Sequence, residues 1–271
     1  MSDLNYPLVS IIIPTFNRPD FLERAIESCL KQEYENIEII VVDDCSGLNI
    51  ESVRSQYPTV KFLKNEANYG ACYSRNRCLS LSEGQFINFL DDDDELFPDK
   101  ISRQVEKFQT STDPELGMVT CHSIDRRSGK EKVVKNAVEG DIYKDLLATY
   151  LVAGTETMLF KASVLEETGG FDEKLKSSQE YDLFIRASEK YKITYVDEVL
   201  TRRNRSVDQI SLNFDKKIQG AKRLFRKHDG RYRDIGLLFW IRMRMKLFGL
   251  ICRFFIGKIF GEKVYRLTIL D

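Results

Sequence analysis

Short apolar runs alternate along the first hundred positions with segments whose apolar residues recur every three or four places. Val9-Ser10-Ile11-Ile12-Ile13, closed by Pro14, predicts a buried strand. Asn17-Arg18-Pro19-Asp20 then opens a helix on which Phe21, Leu22, Ala25, Ile26, Cys29 and Leu30 share a face. Residues 37–42 predict a second strand that ends at Asp43-Asp44, and residues 50–57 a helix. Residues 60–63 predict a third strand, 71–81 a helix, and 85–90 a fourth strand that ends at Asp91. This rhythm predicts an α/β fold with a mainly parallel sheet flanked by helices. The second half is less regular. Strands are expected at 118–123, 157–160 and 193–196, and helices at 145–150, at 163–168 with Gly169-Gly170 as C-cap, and at 178–191.

Parallel sheets bind ligands beyond the carboxyl ends of their strands. Three polar segments fall there: Pro14-Thr15-Phe16-Asn17, Asp43-Asp44, and Asp91-Asp92-Asp93-Asp94. No GxGxxG and no GxxxxGK[ST] is present, which disfavours dinucleotide oxidoreductases and P-loop NTPases. A metal-dependent nucleotidyltransferase would need a basic, glycine-rich triphosphate loop near the N-terminus, and Pro14-Thr15-Phe16-Asn17-Arg18-Pro19-Asp20 is not one.

Four successive aspartates after a hydrophobic strand repel one another, and a bound divalent cation removes that repulsion. Hard carboxylate oxygens suit Mg²⁺ or Mn²⁺ shared with substrate phosphates. In an extended segment Asp91 and Asp93 point to one side and can serve one site. A solvated, helix-capping acidic loop is the alternative.

The three segments together, VSIIIPTFNRPDFLERAIESCLKQ, IEIIVVDDCS and NYGACYSRNRCLSLSEGQFINFLDDDDELFP, closely resemble the N-terminal half of family 2 glycosyltransferases. The resemblance covers about residues 8–100 and continues more weakly through GGFDEKLKSSQEYDLFIRA to about residue 205. It implies a GT-A fold and transfer from a nucleotide-diphosphate sugar, such as a UDP-sugar, with inversion. Pro14, Thr15 and Phe16 then cradle and stack on the base, and Asp44 accepts a hydrogen bond from uracil. Asp91-Asp92-Asp93 corresponds to the DXD element, with Asp91 near the ribose and metal, Asp92 in the donor site, and Asp93 on the metal. Asp94 fits the acid that often follows. Arg75, of an Arg75-Asn76 pair, balances donor phosphate charge. Glu180 corresponds to the base, although Gln179 stands where the family commonly has a further acid. An enzymatically inactive binding module stays open as an alternative, and His122 and His228 are read as structural or surface residues.

Charge divides the chain. The total is −1, yet residues 1–215 hold 26 Lys+Arg against 38 Asp+Glu, and residues 216–271 hold 15 against 4. Three parts are expected: 1–100 binding the nucleotide sugar, 101–215 binding the acceptor, and a basic, amphipathic helical tail over 216–271 outside the resemblance. The six cysteines lack CxxC spacing and read as reduced thiols in a cytoplasmic protein. Neither a signal peptide nor an uninterrupted membrane span is legible. Apolar area with Lys, Arg and Trp240 gives the tail the profile of an interfacial helix on the inner face of the cell membrane. That placement suggests a saccharide or lipid-linked acceptor, as in polysaccharide biosynthesis. Packing of the tail on the body, or on a second copy of the chain as a homodimer, is the competing reading; nucleic acid is a poor partner for so apolar a tail.

Overall fold

A computed structural model describes residues 6–127, 129–205 and 213–267. The extreme N-terminus, on which the reading of no signal peptide partly rests, and residues 206–212 and 268–271 at the ends of the expected parts lie outside the described residues.

The first half follows the expected alternation: β1 (Val9–Thr15), α1 (Pro19–Leu30), β2 (Ile37–Asp43), α2 (Glu51–Gln56), β3 (Lys61–Lys64), α3 (Ala71–Leu79) and β4 (Phe86–Phe89). β5 (Glu95–Leu96), α4 (Lys100–Thr110), β6 (Leu116–Arg127), β7 (Lys130–Val134) and α5 (Tyr143–Ala148) come next. They lead to β8 (Leu159–Lys161), α6 (Ala162–Thr168), α7 (Gln179–Ser188) and β9 (Lys192–Arg205).

The sheet runs β3-β2-β1-β4-β8-β6-β9-β5, with β7 beside β6. β3, β2, β1 and β4 are parallel, and β8 joins them antiparallel. The chain fills one side of β1 with β2 and β3, then crosses to place β4 on the other. That reversal creates a crevice at the carboxyl ends. Pro14 helps to open it. β1 pairs with β2 as far as Thr15 but with β4 only as far as Ile12, so the missing proline donor costs no ladder bond towards β4.

Alternating side chains on β1 feed two cores. Val9, Ile11 and Ile13 pack with Leu22, Ala25, Ile26 and Cys29 of α1 and with Ile101, Val105 and Phe108 of α4. Ile12, with Ile87 and Phe89 of β4, packs with Val164 and Leu165 of α6 and with Leu183 and Phe184 of α7.

Several boundaries differ from expectation. β6 and β9 extend well beyond 118–123 and 193–196, because they pair with each other through their polar ends, Asp125 to Arg127 against Arg203 to Arg205. The strand expected at 157–160 begins only at Leu159, since Thr155–Thr157 form a 3-10 turn. Thr157 is held there by its hydroxyl, which donates to the Gly154 carbonyl, and by its own carbonyl, which accepts from Gln104.

The basic tail folds onto the body as α8 (Phe214–Lys227), α9 (Asp229–Ile235), α10 (Leu237–Phe260) and α11 (Glu262–Leu267). Phe225, Tyr232 and Met243 join the same core as Leu183 and Phe184. Its cations meet body acids: Arg223 and Lys227 pair with Asp172, Lys227 also with Asp182, and Arg231 with Glu189. Part of the charge of the tail is thus met by acids of the body itself. No described helix is long and apolar enough to cross a membrane.

Candidate active site

The crevice gathers residues from four loops. After β1, Thr15 donates to Asp92 Oδ2 at 2.8 Å. Arg18 donates to Asp92 Oδ1 at 3.3 Å and to Asp93 Oδ2 at 3.1 Å. Both oxygens of Asp92 therefore serve to tie the β1 loop to the aspartate run. Phe16 stands 42% exposed between these anchors, an aromatic side chain open to solvent at the crevice.

The β2 loop is organised by its two acids. Asp43 accepts from the Ser46 amide at 2.8 Å. Asp44 is buried and accepts from Asn65 Nδ2 at 2.8 Å and from the amides of Tyr69 at 3.0 Å and Gly70 at 2.7 Å. Gly70, at φ 93°, presents its amide to Asp44 and begins α3. Asp44 thus orders the start of the helix that carries Arg75, and one lone pair of Oδ2 is left for a ligand donor.

Carboxylate oxygens of Asp91, Asp93 and Asp94 lie within 4.8 Å of one another. Asp94, which the alternation of side chains does not bring to this group, belongs because the run turns after β4: the Asp94 amide donates back to the Asp91 carbonyl at 3.0 Å. Burial, then the charges of Asp91 and Asp92, push the Asp93 carboxyl up to about 6. Asp94 is likewise pushed up, by burial, then by Glu156, Asp91 and Asp93. Three crowded hard-oxygen donors with unfavourable mutual repulsion fit a divalent cation such as Mn²⁺ or Mg²⁺.

Arg75 is buried, not an exposed helix charge. It ion-pairs with Asp91, and its guanidinium lies 5.1 Å from the Phe171 ring centroid. Its Nε has no hydrogen-bond partner among the described residues. Despite burial, Asp91 and Glu180 hold it firmly charged. Its neighbour Asn76 clamps a distant loop instead. Asn76 Nδ2 donates to the Phe171 carbonyl at 2.9 Å, and Oδ1 accepts the Phe171 amide at 2.8 Å.

Glu180 sits in the first turn of α7. Ser178, which precedes that helix, adopts a left-handed conformation at φ 62°. Asn17 and Cys45 are the other non-glycine residues with positive φ among those described, so all three such positions follow or precede a site segment. Burial raises the Glu180 carboxyl, Arg75 lowers it, Asp91 raises it, and the net direction is up. A carboxylate biased towards holding a proton, beside a permanent cation, can act as a general base.

Asp182, one helical half-turn on, is fully buried and points away from this chemistry. It accepts from Arg186 Nε at 2.9 Å, Lys227 at 2.9 Å and His228 Nε2 at 2.9 Å. His228 is therefore a buried structural residue. His122 is too, linking the Asn136 amide at 3.0 Å to Asp197 at 2.8 Å.

Arg18, Asn204 and the Glu156–Arg203 pair also stand at the site, and the sequence pattern does not single them out. Asn204 donates its amide to Asp94 and its side chain to the Asp93 carbonyl, at 3.0 and 2.9 Å. Glu156 is buried against Arg203 at 2.6 Å. The one signal for these residues is the run Arg202-Arg203-Asn204-Arg205, whose placement at the crevice requires the long β9.

The geometry has relatives. Staphylococcus aureus TarS 1–349, solved with UDP-GlcNAc, superposes with TM-score 0.65 at 18% identity, over 90% of this chain and 81% of that one. The mannosyltransferase PcManGT of Pyrobaculum calidifontis, solved with GDP-Man and Mn²⁺, gives 0.63 at 19% identity, over 82% and 65%. Both show the GT-A fold for this chain. A protein of Escherichia coli K12 with the provisional name colanic acid biosynthesis glycosyl transferase WcaA is 29% identical over 259 residues, 84% of each chain. With the sequence profile described as glycosyl transferase family 2 matching residues 10–164, more than half of its length, the chain belongs to glycosyl transferase family 2.

Proposed function

We propose that this glycosyltransferase moves a sugar, with inversion, from a nucleoside-diphosphate donor to a hydroxyl of a saccharide or lipid-linked saccharide. The observation that carries the reading is the placement of Arg75, paired with Asp91 of the carboxylate cluster and electrostatically coupled to Glu180. Donor phosphates and a base can thus meet across one cation. UDP-GlcNAc and GDP-Man with Mn²⁺ in the two structural neighbours support a nucleotide-sugar donor and a divalent cation, and a UDP-sugar is the first choice. The relative named for colanic acid biosynthesis supports a polysaccharide-building role.

In this reading Phe16 stacks on the base, Pro14 and Thr15 shape its cradle, and Asp44 offers its remaining lone pair to the base edge. Asp91 and Asp93, joined by Asp94, hold Mn²⁺ or Mg²⁺, which when bound offsets charge developing on the diphosphate leaving group. Asp92 fixes the loop through Thr15 and Arg18. Glu180 takes the proton of the acceptor hydroxyl as its oxygen bonds to the anomeric carbon. The bond from that carbon to the diphosphate oxygen breaks, and the diphosphate leaves with the electron pair.

The test is a panel of UDP, GDP, dTDP and CDP sugars, with and without Mn²⁺, read by thermal shift and then by transfer to a saccharide acceptor. A cation-dependent shift with one nucleotide class supports the reading. Equal shifts in EDTA count against the metal assignment.

A further inference from the structure

The outer face of α10 is apolar and exposed among the described residues. Leu238, Ile241, Met245, Phe248, Cys252, Phe255 and Ile259 recur at spacings of three and four along its 24 residues. They fall within an arc of about 100° at about 100° per residue, on a helix about 36 Å long. Leu238 is 83% exposed, Met245 70%, Phe248 71% and Ile259 70%. The opposite face is spent on the body: Met243 and Gly257 are buried, and Phe239, Trp240, Leu247 and Leu250 pack on the core or its edge. Trp240 therefore does not belong to the outer stripe. Its Nε1 donates to Asp229, and Arg233 and Arg244 stack on its ring.

Charge decides what covers the stripe. Residues 237–261 contain five Lys+Arg and no acid. Arg242 and Arg253 border the stripe on one side, and neither forms an ion pair among the described residues. On the other side a groove of about 360 Å³ lies between α8 and α10, lined by Lys222, Arg226, Asp229, Arg244, Leu247 and Ile251. Exposed Lys222 and Arg226 likewise lack an ion pair among the described residues, whereas Arg244 pairs with Asp229 at 3.2 Å and leaves these two charges of α8 in excess. A cationic groove with an apolar wall, next to an apolar stripe, matches lipid headgroup phosphates with acyl chains beside them.

A second copy fits less well. Were the stripe a two-helix seam, its flanking positions would hold Arg242, Gly249, Ile256, Arg244, Ile251 and Lys258. None is acidic, so no flanking ion pair could form between copies, and like charges would face each other.

We propose that α10 lies in the headgroup region of a membrane rich in anionic lipid, with its outer stripe among the acyl chains and Lys222 and Arg226 on lipid phosphates. The helix rests on the bilayer and does not cross it.

Sedimentation of the full chain with equimolar phosphatidylglycerol and phosphatidylcholine vesicles, against phosphatidylcholine alone, tests this. Partitioning is expected to be about tenfold or more higher on the anionic vesicles and to fall with added salt. Met245→Gln with Phe248→Gln, both at exposed positions, is expected to lower it at least tenfold without shifting the unfolding midpoint. Arg242→Glu with Arg253→Glu provides an independent arm with the same expected loss. Equal partitioning of the parent on both vesicles, or of parent and all variants, overturns the proposal. So does a dimer in sedimentation velocity without lipid that the Met245 and Phe248 changes dissociate, because a second copy then covers the stripe.

Discussion

His228 Nε2 lies 2.9 Å from Asp182 Oδ1, and both side chains are fully buried. The pair joins the helix of the candidate base to the C-terminal helices. Lys227 and Arg186 complete the set around the same carboxylate. Removing its charge takes a fully buried carboxylate from the part-buried Arg186 and from Lys227, so Asp182→Asn is expected to cost about 3 kcal/mol. Denaturant unfolding measures it, and a loss under about 1 kcal/mol would show that the cluster contributes little.

The same pair sets a direction for pH. His228 is held below its ordinary 6.5 by burial, so the unfolded chain binds its proton more readily. Its contribution is whole above about pH 6.5 and declines as pH falls below that value. Asp182 is held far below its ordinary 3.8 despite burial, by His228, Arg186 and Lys227, and its contribution is lost as pH drops beneath 3.8. Below pH 3.8 the unfolding midpoint of Asp182→Asn should therefore fall less steeply than that of the parent, while at higher pH the raised carboxyls of Asp93, Asp94 and Glu180 oppose the His228 contribution.

Glu180→Gln keeps shape but cannot take a proton. Turnover is expected to fall by about 10²–10⁴-fold, with nucleoside-diphosphate binding retained. In the parent enzyme, kcat/KM should rise with pH through a midpoint above the ordinary 4.5, since burial raises Glu180. A midpoint at or below 4.5 would assign the base elsewhere.

Asp93→Ala removes one of three clustered carboxylates. Mn²⁺-dependent binding of the nucleoside diphosphate, measured by calorimetry, is expected to weaken more than tenfold. Binding that is equally strong in parent and variant, with and without EDTA, would disqualify this cluster.

Gly170→Ala tests the support behind Arg75. Gly170 has φ 67°, and a Cβ there would come within 2.5 Å of Asn76 Oδ1. A loss of about 1–3 kcal/mol is expected from strain and the displaced Asn76 clamp. An unchanged midpoint would mean that the loop relaxes freely.

Legibility follows the physics of each segment. β1, β2 and β4 announce themselves because parallel strands buried on both faces read as continuous apolar runs. The acids after them are legible because the ligand edge of such a sheet is known from topology alone. Only the first part of β9 is legible, since its outer half is polar and only pairing with β6 explains it. Arg18 and Asn204 escape for a related reason: their partners, Asp93 and Asp94, are distant in sequence and are brought close by a turn. Sequence leaves the destination of the tail undetermined because acids on the body and anionic lipid attract the same cations. Contacts such as Lys227 to Asp182 assign α8 and α9 to the body, and the faces of α10 separate only once packing is known.

The closing of the core by Phe225, Tyr232 and Met243 has a consequence for biogenesis. These residues are made after the body, yet they share a core with Leu183 and Phe184 on the helix of Glu180. Until α8 to α10 are made, the nascent body carries an open apolar face beneath its candidate base. A fragment ending near residue 215 would keep that face permanently, so the smallest unit expected to stay monodisperse in solution includes the C-terminal helices.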